Sequence, residues 1–333
     1  NIMNKLTKLG VSALCGSLAA VSAATAGELS VAGGADMTWI SKEKDNTGNP
    51  IGIGSNYTLA GSGELDNGWG VAMNIIMTNK ATYSNTNVTV TVPSLGAIRI
   101  DQGVSGTGID VMDDVTPTVW EEAYGTGLSN GINTVGGISN AANITYTPNM
   151  LPEGLTGVFS WTPDASGSNN NDKASSGAAA NAGAGYDLTV TATDAVTGMS
   201  GLTVYAGMSN VDNPQGDREE STIAATYAVG GFTVGYQWSE EDLGTTANER
   251  SYENTGYGIT FAVNDDLSIG YNHYESDQDS TTDVTNEATS YQIAYSMGGA
   301  SVRLAQASAD NMDYSTAAAQ DRDATTISVA LAF

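Results

Sequence analysis

Hydrophobic and polar residues alternate one by one along most of this chain, and the 3.6-residue spacing of an amphipathic helix does not recur over any useful length. Phe232, Val234, Tyr236 and Trp238 alternate with Thr233, Gly235 and Gln237. Tyr257, Ile259, Phe261 and Val263 alternate with Gly258, Thr260 and Ala262. Leu267, Ile269 and Tyr271 repeat the pattern, as do Tyr291, Ile293 and Tyr295, and near the start Leu29, Val31, Met37 and Trp39 share a face. The last strand-like stretch puts Ile327, Val329, Leu331 and Phe333 on one side and Thr326, Ser328, Ala330 and Ala332 on the other. A period of two predicts β-strands with one apolar face and one small or polar face.

The connections between these stretches take turns between short and long. Tight-turn sequences, with Gly, Asn and Asp to supply positive φ, stand at 65–69, 93–96, 150–155, 196–201, 229–232, 263–267 and 297–300. Longer polar and acidic stretches stand between them, at 41–50, 80–86, 103–138, 164–183, 211–218, 241–250, 278–286 and 310–321. That rhythm predicts sixteen antiparallel strands, at roughly 19 residues per strand and connection, which suits ~10-residue strands crossing a bilayer at a tilt. An even count puts both chain ends on the short-turn side and lets the last strand pair with the first, leaving no open edge. A soluble sandwich seldom needs sixteen strands, and a solenoid would show a fixed repeat that is missing here. Trp39, Trp69, Trp161, Trp238, Tyr271 and Tyr295 fall near strand ends, where interfacial girdles place aromatics.

Composition sharpens this picture. Residues 1–26 read as a cleavable secretory leader: Lys5 and Lys8, an apolar run from Leu9 to Ala23, then the small-x-small site Ala24-Thr25-Ala26. The only cysteine, Cys15, lies inside it, so residues 27–333 carry no disulfide framework. They also hold no helix-length apolar run, so an exported chain of this kind can enter a membrane only as a closed barrel. Charged residues make up 14% of the chain against the ~25% usual for soluble domains. The net charge of −26 excludes a nucleic-acid partner, which needs basic surface, and suits a field that attracts cations.

The leader, the stretches "GELSVAGGADMTWI", "GELDNGWGVAMNI" and "LGAIRIDQGVSGTGIDVMDDV", and the terminal strand ending in Phe333 resemble the general diffusion porins of Gram-negative outer membranes, among them the alphaproteobacterial type. The resemblance covers the whole of 27–333. It implies a 16-stranded transmembrane barrel with a long third loop folded into the lumen, usually trimeric, passing small hydrophilic solutes and ions through the outer membrane. It also implies that Phe333 is read by the barrel-assembly machinery.

The longest connection, Gly103 to Ser139, is the third long one, and it holds Asp110, Asp113, Asp114, Glu121 and Glu122. No Lys or Arg occurs between Arg99 and Lys173, so these carboxylates would raise the cation concentration inside a low-dielectric wall. Porins set basic side chains on the opposite wall; by parity Arg99 and Arg303 point inward here, a thin version of that cluster. Asp110, Asp113 and Asp114 are also a candidate Ca²⁺ site through carboxylate oxygens, the one cofactor the sequence suggests. "DQDSTTD" (277–283) reads as a solvated acidic loop, since Thr282 stands where a calcium loop needs glycine. His273, the only histidine, reads as a pore-wall or rim residue, and with no second histidine or cysteine beside it neither a zinc site of ordinary composition nor a hydrolase is expected. The expectation is a passive, somewhat cation-preferring outer-membrane porin and no enzyme. A substrate-specific channel for a small nutrient or sugar is the alternative, with Tyr205 one of few tyrosines of inward parity.

Overall fold

A computed structural model describes residues 28–43, 48–80, 82–102, 106–166, 182–214, 216–244, 251–279 and 283–333. The expected leader lies outside these residues. Sixteen strands follow one another: β1 Glu28–Lys42, β2 Ile51–Glu64, β3 Gly70–Thr78, β4 Thr82–Val92, β5 Gly96–Gln102, β6 Ala142–Pro148, β7 Leu155–Thr162 and β8 Gly185–Ala192. Then come β9 Leu202–Val211, β10 Arg218–Val229, β11 Phe232–Asp242, β12 Ser251–Ala262, β13 Leu267–Asp279, β14 Val284–Met297, β15 Ala300–Asp310 and β16 Arg322–Ala332. Each pairs antiparallel with its neighbours in sequence, and β1 pairs with β16 to close the barrel. Closure gives every ladder N–H and C=O a partner, the condition for crossing hydrocarbon with strands.

The closing seam runs from Gly34↔Ala332 to Lys42↔Ala324. Beyond it Phe333 and Gly33 exchange two backbone bonds, at 2.8 and 3.2 Å. The apolar and polar faces are inverted relative to a water-soluble protein. Ile53, Ile223, Tyr236, Tyr291 and Leu304 are exposed on the outside, whereas Asn87, Ser160, Gln237, Asn254 and Ser328 are buried on the inside. A single exposed leucine means little, but a continuous apolar outer wall around a polar interior is the signature of a barrel set in lipid.

The seven short turns fall where the turn sequences predict. Two are two-residue hairpins, 230–231 and 298–299, and their leading glycines sit at φ +60° and +59°, conformations a side chain resists. The 193–201 turn includes a four-residue helix, α1 (Asp194–Thr197). Two of the eight expected long loops are short. β4 begins at Thr82 and β14 at Val284, leaving only 79–81 and 280–283 as connections. The polar run from Thr82 to Asn87 is strand because Asn85 and Asn87 face the lumen, where polarity carries no penalty.

Candidate functional site

The connection between β5 and β6, 103–141, has over its described residues 106–141 little regular structure beyond a 3-10 turn at Gly108–Met112. With no ladder of its own, its backbone depends on side chains of the inner wall. Outbound, the N–H of Ile109 donates to Asp187 Oδ2 on β8 at 2.9 Å and that of Val115 to Gln237 Oε1 on β11 at 3.0 Å. The N–H of Trp120 donates to Gln292 Oε1 on β14 at 2.9 Å, and that of Ala123 to Asn272 Oδ1 on β13, also at 2.9 Å. On the way back, Asn286 donates to Asn130 O at 2.8 Å and Asn254 to Asn133 O at 2.9 Å. Gly137 N–H donates to Glu220 Oε2 at 2.6 Å and Ile138 N–H to Asp187 Oδ2 at 3.3 Å. Both legs thus start and finish at Asp187. The outbound leg meets mid-strand positions, and the return leg meets positions nearer the long-loop end.

Small residues make room for this path. A Cβ on Gly235 would stand 2.4 Å from Pro117 Cδ, and one on Gly258 2.5 Å from Pro117 O, with Gly235 and Gly258 directly paired across β11 and β12. The inner face is therefore flattened where the segment crosses it. In the sequence these glycines look like any small inward residue.

The five acidic residues come together along the outbound leg. Carboxyl–carboxyl hydrogen bonds link Asp113 to Asp114, and Glu122 to both Glu121 and Asp114. Each such bond holds a proton between two groups that would otherwise repel. Burial, followed by the charges of Asp114 and Asp110, pushes Asp113 up to about 9. Burial, followed by the hydrogen bond from Glu121 and the charge of Asp114, pushes Glu122 up to about 12. Asp110 is also raised, mainly by burial, although Gly106 N–H and Ser139 Oγ at 3.3 Å donate to its carboxyl. The cluster therefore holds less charge at neutral pH than its five formal negatives.

Both predicted inward arginines do face the lumen, and both are spoken for. Arg99 pairs with Asp101, two residues along the same strand. Arg303, only 6% exposed, donates to Asp36 and, at 2.7 Å, to Ser328 Oγ, and its guanidinium lies 5.1 Å from the Trp120 ring. Each of these two arginines is thus balanced by a neighbouring acid. Asp187, Glu220, Gln237, Asn272 and Gln292, which hold the segment in place, escape the sequence reading. Their one signal is a large polar side chain at inward parity, where Ser, Thr and Gly are the norm.

Two further expectations need revision. His273, expected at the pore wall or the rim, is not on the pore wall: Asn272 and Tyr274 face inward and meet the segment between β5 and β6, so His273 shares the outer face of β13 with Tyr271, and the rim half of the expectation remains. Among the described residues the carboxylate oxygens of Asp110, Asp113 and Asp114 do not form a three-donor group within 4.8 Å, so the candidate Ca²⁺ triad is not gathered.

A closed, inside-out, sixteen-stranded barrel with a polar segment laid along its inner wall narrows the identity, and a profile of the Gram-negative porin decides it by matching residues 10–300. The chain belongs to the Gram-negative porin family. No curated protein sequence matches it. Among solved structures this porin is similar to an anion-selective porin from Comamonas acidovorans, with 15% identity, a TM-score of 0.68 and coverage of 92% of this chain and 99% of that one. It is similar as well to OmpT, an outer membrane protein of Vibrio cholerae, in a trimer form, with 12% identity, a TM-score of 0.65 and coverage of 93% and 100%. A mutant of the Rh. blastica porin gives 14% identity, a TM-score of 0.60 and coverage of 92% and 100%. At these identities the likeness is one of fold. The porin's place is the Gram-negative outer membrane, with the apolar outer wall against lipid.

Proposed function

We propose that this porin is a passive, cation-preferring pore for small hydrophilic solutes and ions, working by size and electrostatics with no bond chemistry. One observation carries the reading: the segment laid along the inner wall brings five carboxyl groups, while Arg303, Arg99 and Arg218 beside it are paired with Asp36, Asp101 and Glu220. A net negative constriction with low-dielectric walls concentrates cations and excludes anions. The Comamonas acidovorans porin has the same barrel and is anion-selective, so the barrel itself does not fix the sign of selectivity. The fixed charges do. A sugar-specific pore would need an aromatic track along the lumen, and Tyr274 is buried beneath the 103–141 segment.

The barrel is proposed to work as a homotrimer, supported by the trimer form of the Vibrio cholerae protein. Its other partners are outer-membrane lipid and the barrel-assembly machinery. Phe333 stays 84% exposed at the seam after both its backbone groups are paired, which leaves its ring free to be read. Deleting Phe333 is expected to cut the yield of membrane-inserted barrel sharply, while refolding in detergent, where no machinery acts, still succeeds. Heat-modifiable mobility on gels measures both.

Single-channel recording in a planar bilayer under a KCl gradient tests the central proposal. Large ohmic steps with a reversal potential on the K⁺ side are expected. A reversal potential on the Cl⁻ side overturns the cation preference, and absent conductance overturns the pore.

A further inference from the structure

The porin's one histidine stands among carboxylates on the outside of the wall. His273 pairs across the ladders with Tyr257 on β12 and Thr289 on β14. Its ring packs 4.9 Å from the Tyr257 ring, and Nδ1 lies 2.8 Å from Thr289 Oγ1. Those contacts aim Nε2 at Glu275 Oε1, 3.2 Å away. Glu275 in turn stands directly opposite Glu287. Donor atoms of His273, Glu275 and Glu287 all lie within 4.8 Å of one another, and among the described residues no other group of three such side chains does so.

Two glutamates directly opposite on one face repel, and among the described residues no basic side chain on that face offsets them. Asp310 is Glu287's next cross-strand neighbour, and Glu253 and Asp277 form the adjoining pair. Among the described residues of β10 to β15 the only basic side chains, Arg218 and Arg303, are paired inside the lumen. The pair therefore calls for a cation. An imidazole fixed through Nδ1, with two carboxylates converging on its Nε2, is the donor chemistry of a divalent transition-metal site, and Thr289 supplies the outer hydrogen bond that such ligands use for orientation. Its position also suits access. His273 lies two residues beyond Tyr271, whose ring packs 5.0 Å from that of Tyr291 in the outer aromatic row, and Glu275 is 49% exposed. The site thus stands at the polar edge of the membrane on the long-loop side.

We propose that His273, Glu275 and Glu287 bind one divalent transition-metal ion on the outer face of the barrel, with coordination positions left open to the surroundings. The ion ties β13 to β14 at the rim. This goes beyond the pore reading and does not depend on it.

A single histidine makes the test direct. The folded porin in detergent, labelled with ¹⁵N-histidine and stripped with EDTA, is titrated with Zn²⁺ at neutral pH. One equivalent should move the Nε2 resonance strongly and leave Nδ1 in its hydrogen bond, and calorimetry should count one ion per barrel. Glu287→Gln should weaken binding by about tenfold or more, as loss of a metal-supporting group does, whereas Glu240→Gln, an acid outside the group, should not. Unmoved His273 resonances, or Zn²⁺ binding indifferent to Glu287→Gln, overturn the site. A His273 found as the imidazolium and undisturbed by Zn²⁺ also overturns it, because the proton is then the missing cation. The NMR result on the unmodified protein stands even if a variant folds poorly.

Discussion

Replacing Gln237, Asn272 and Gln292 together with alanine is expected to raise single-channel conductance severalfold and to make the open current noisy. These three wall amides hold the outbound leg by both ends of their side chains. Gln237 accepts from Val115 N–H and donates to Met112 O at 2.6 Å; Asn272 accepts from Ala123 N–H and donates to Thr116 Oγ1 at 2.8 Å; Gln292 accepts from Trp120 N–H and donates to Glu121 O. Each bond is worth about 1 kcal/mol net, so the six together offset roughly 6 kcal/mol of the ~1–2 kcal/mol per residue that ordering an irregular backbone costs, and their joint loss tips the leg toward release. Freed groups find water in the lumen, so release is not penalised by desolvation. The wall itself should survive, because its ladders use main-chain groups only. Unchanged conductance and quiet current, with the variant still heat-modifiable, would mean that the segment does not set the pore's width.

The opposite manipulation should work through the same geometry. A side chain at Gly258 would occupy the place of Pro117 O and force the segment toward the axis, narrowing the lumen. The two outcomes together separate a segment that is held on the wall from one that only rests there.

How much of this was legible follows from where each piece of information resides. Strand count and closure came from the local chain, since each crossing leaves its own alternation and each end its own turn residues. Arg99 and Arg303 were placed inward by counting from Ile98 and Val302, and they are inward. The same counting from Tyr271 puts His273 outside, which drops the pore-wall half of its expectation and keeps the rim. Loop lengths were less legible at 79–81 and 280–283, because a lumen-facing strand is as polar as a loop. The path of 103–141 was out of reach, since its partners are remote: Val115 and Gln237 lie 122 positions apart. Nor does composition show which carboxyls share protons. That depends on the distances between Asp113, Asp114, Glu121 and Glu122 once the segment is laid down.

Those distances give the second large effect: cation preference should climb with pH. A carboxyl whose folded-state value is raised is neutral below that value and charged above it. Asp113, raised to about 9 by burial and by Asp114 and Asp110, adds its charge as the solution passes through that range. One unit charge about 10 Å from a permeating ion is worth ~0.4 kcal/mol in water, roughly a twofold change in local ion concentration. Reversal potentials at low salt, where the Debye length reaches ~30 Å, should therefore shift toward K⁺ between about pH 8 and about pH 10. The linked stability runs the other way. The raised value favours the protonated form, so Asp113's contribution to loop docking is complete below the ordinary carboxyl range near 4 and fades as pH rises through about 9. Open-channel noise should therefore grow as pH rises from about 4 to about 9 and level off above that. Asp113→Asn mimics the protonated state, so it should leave the neutral-pH reversal potential nearly unchanged and flatten its rise. Asp114→Asn should lower cation preference at neutral pH as well. A reversal potential flat with pH in the parent protein, or unaffected by Asp114→Asn, would place this cluster away from the permeating ions.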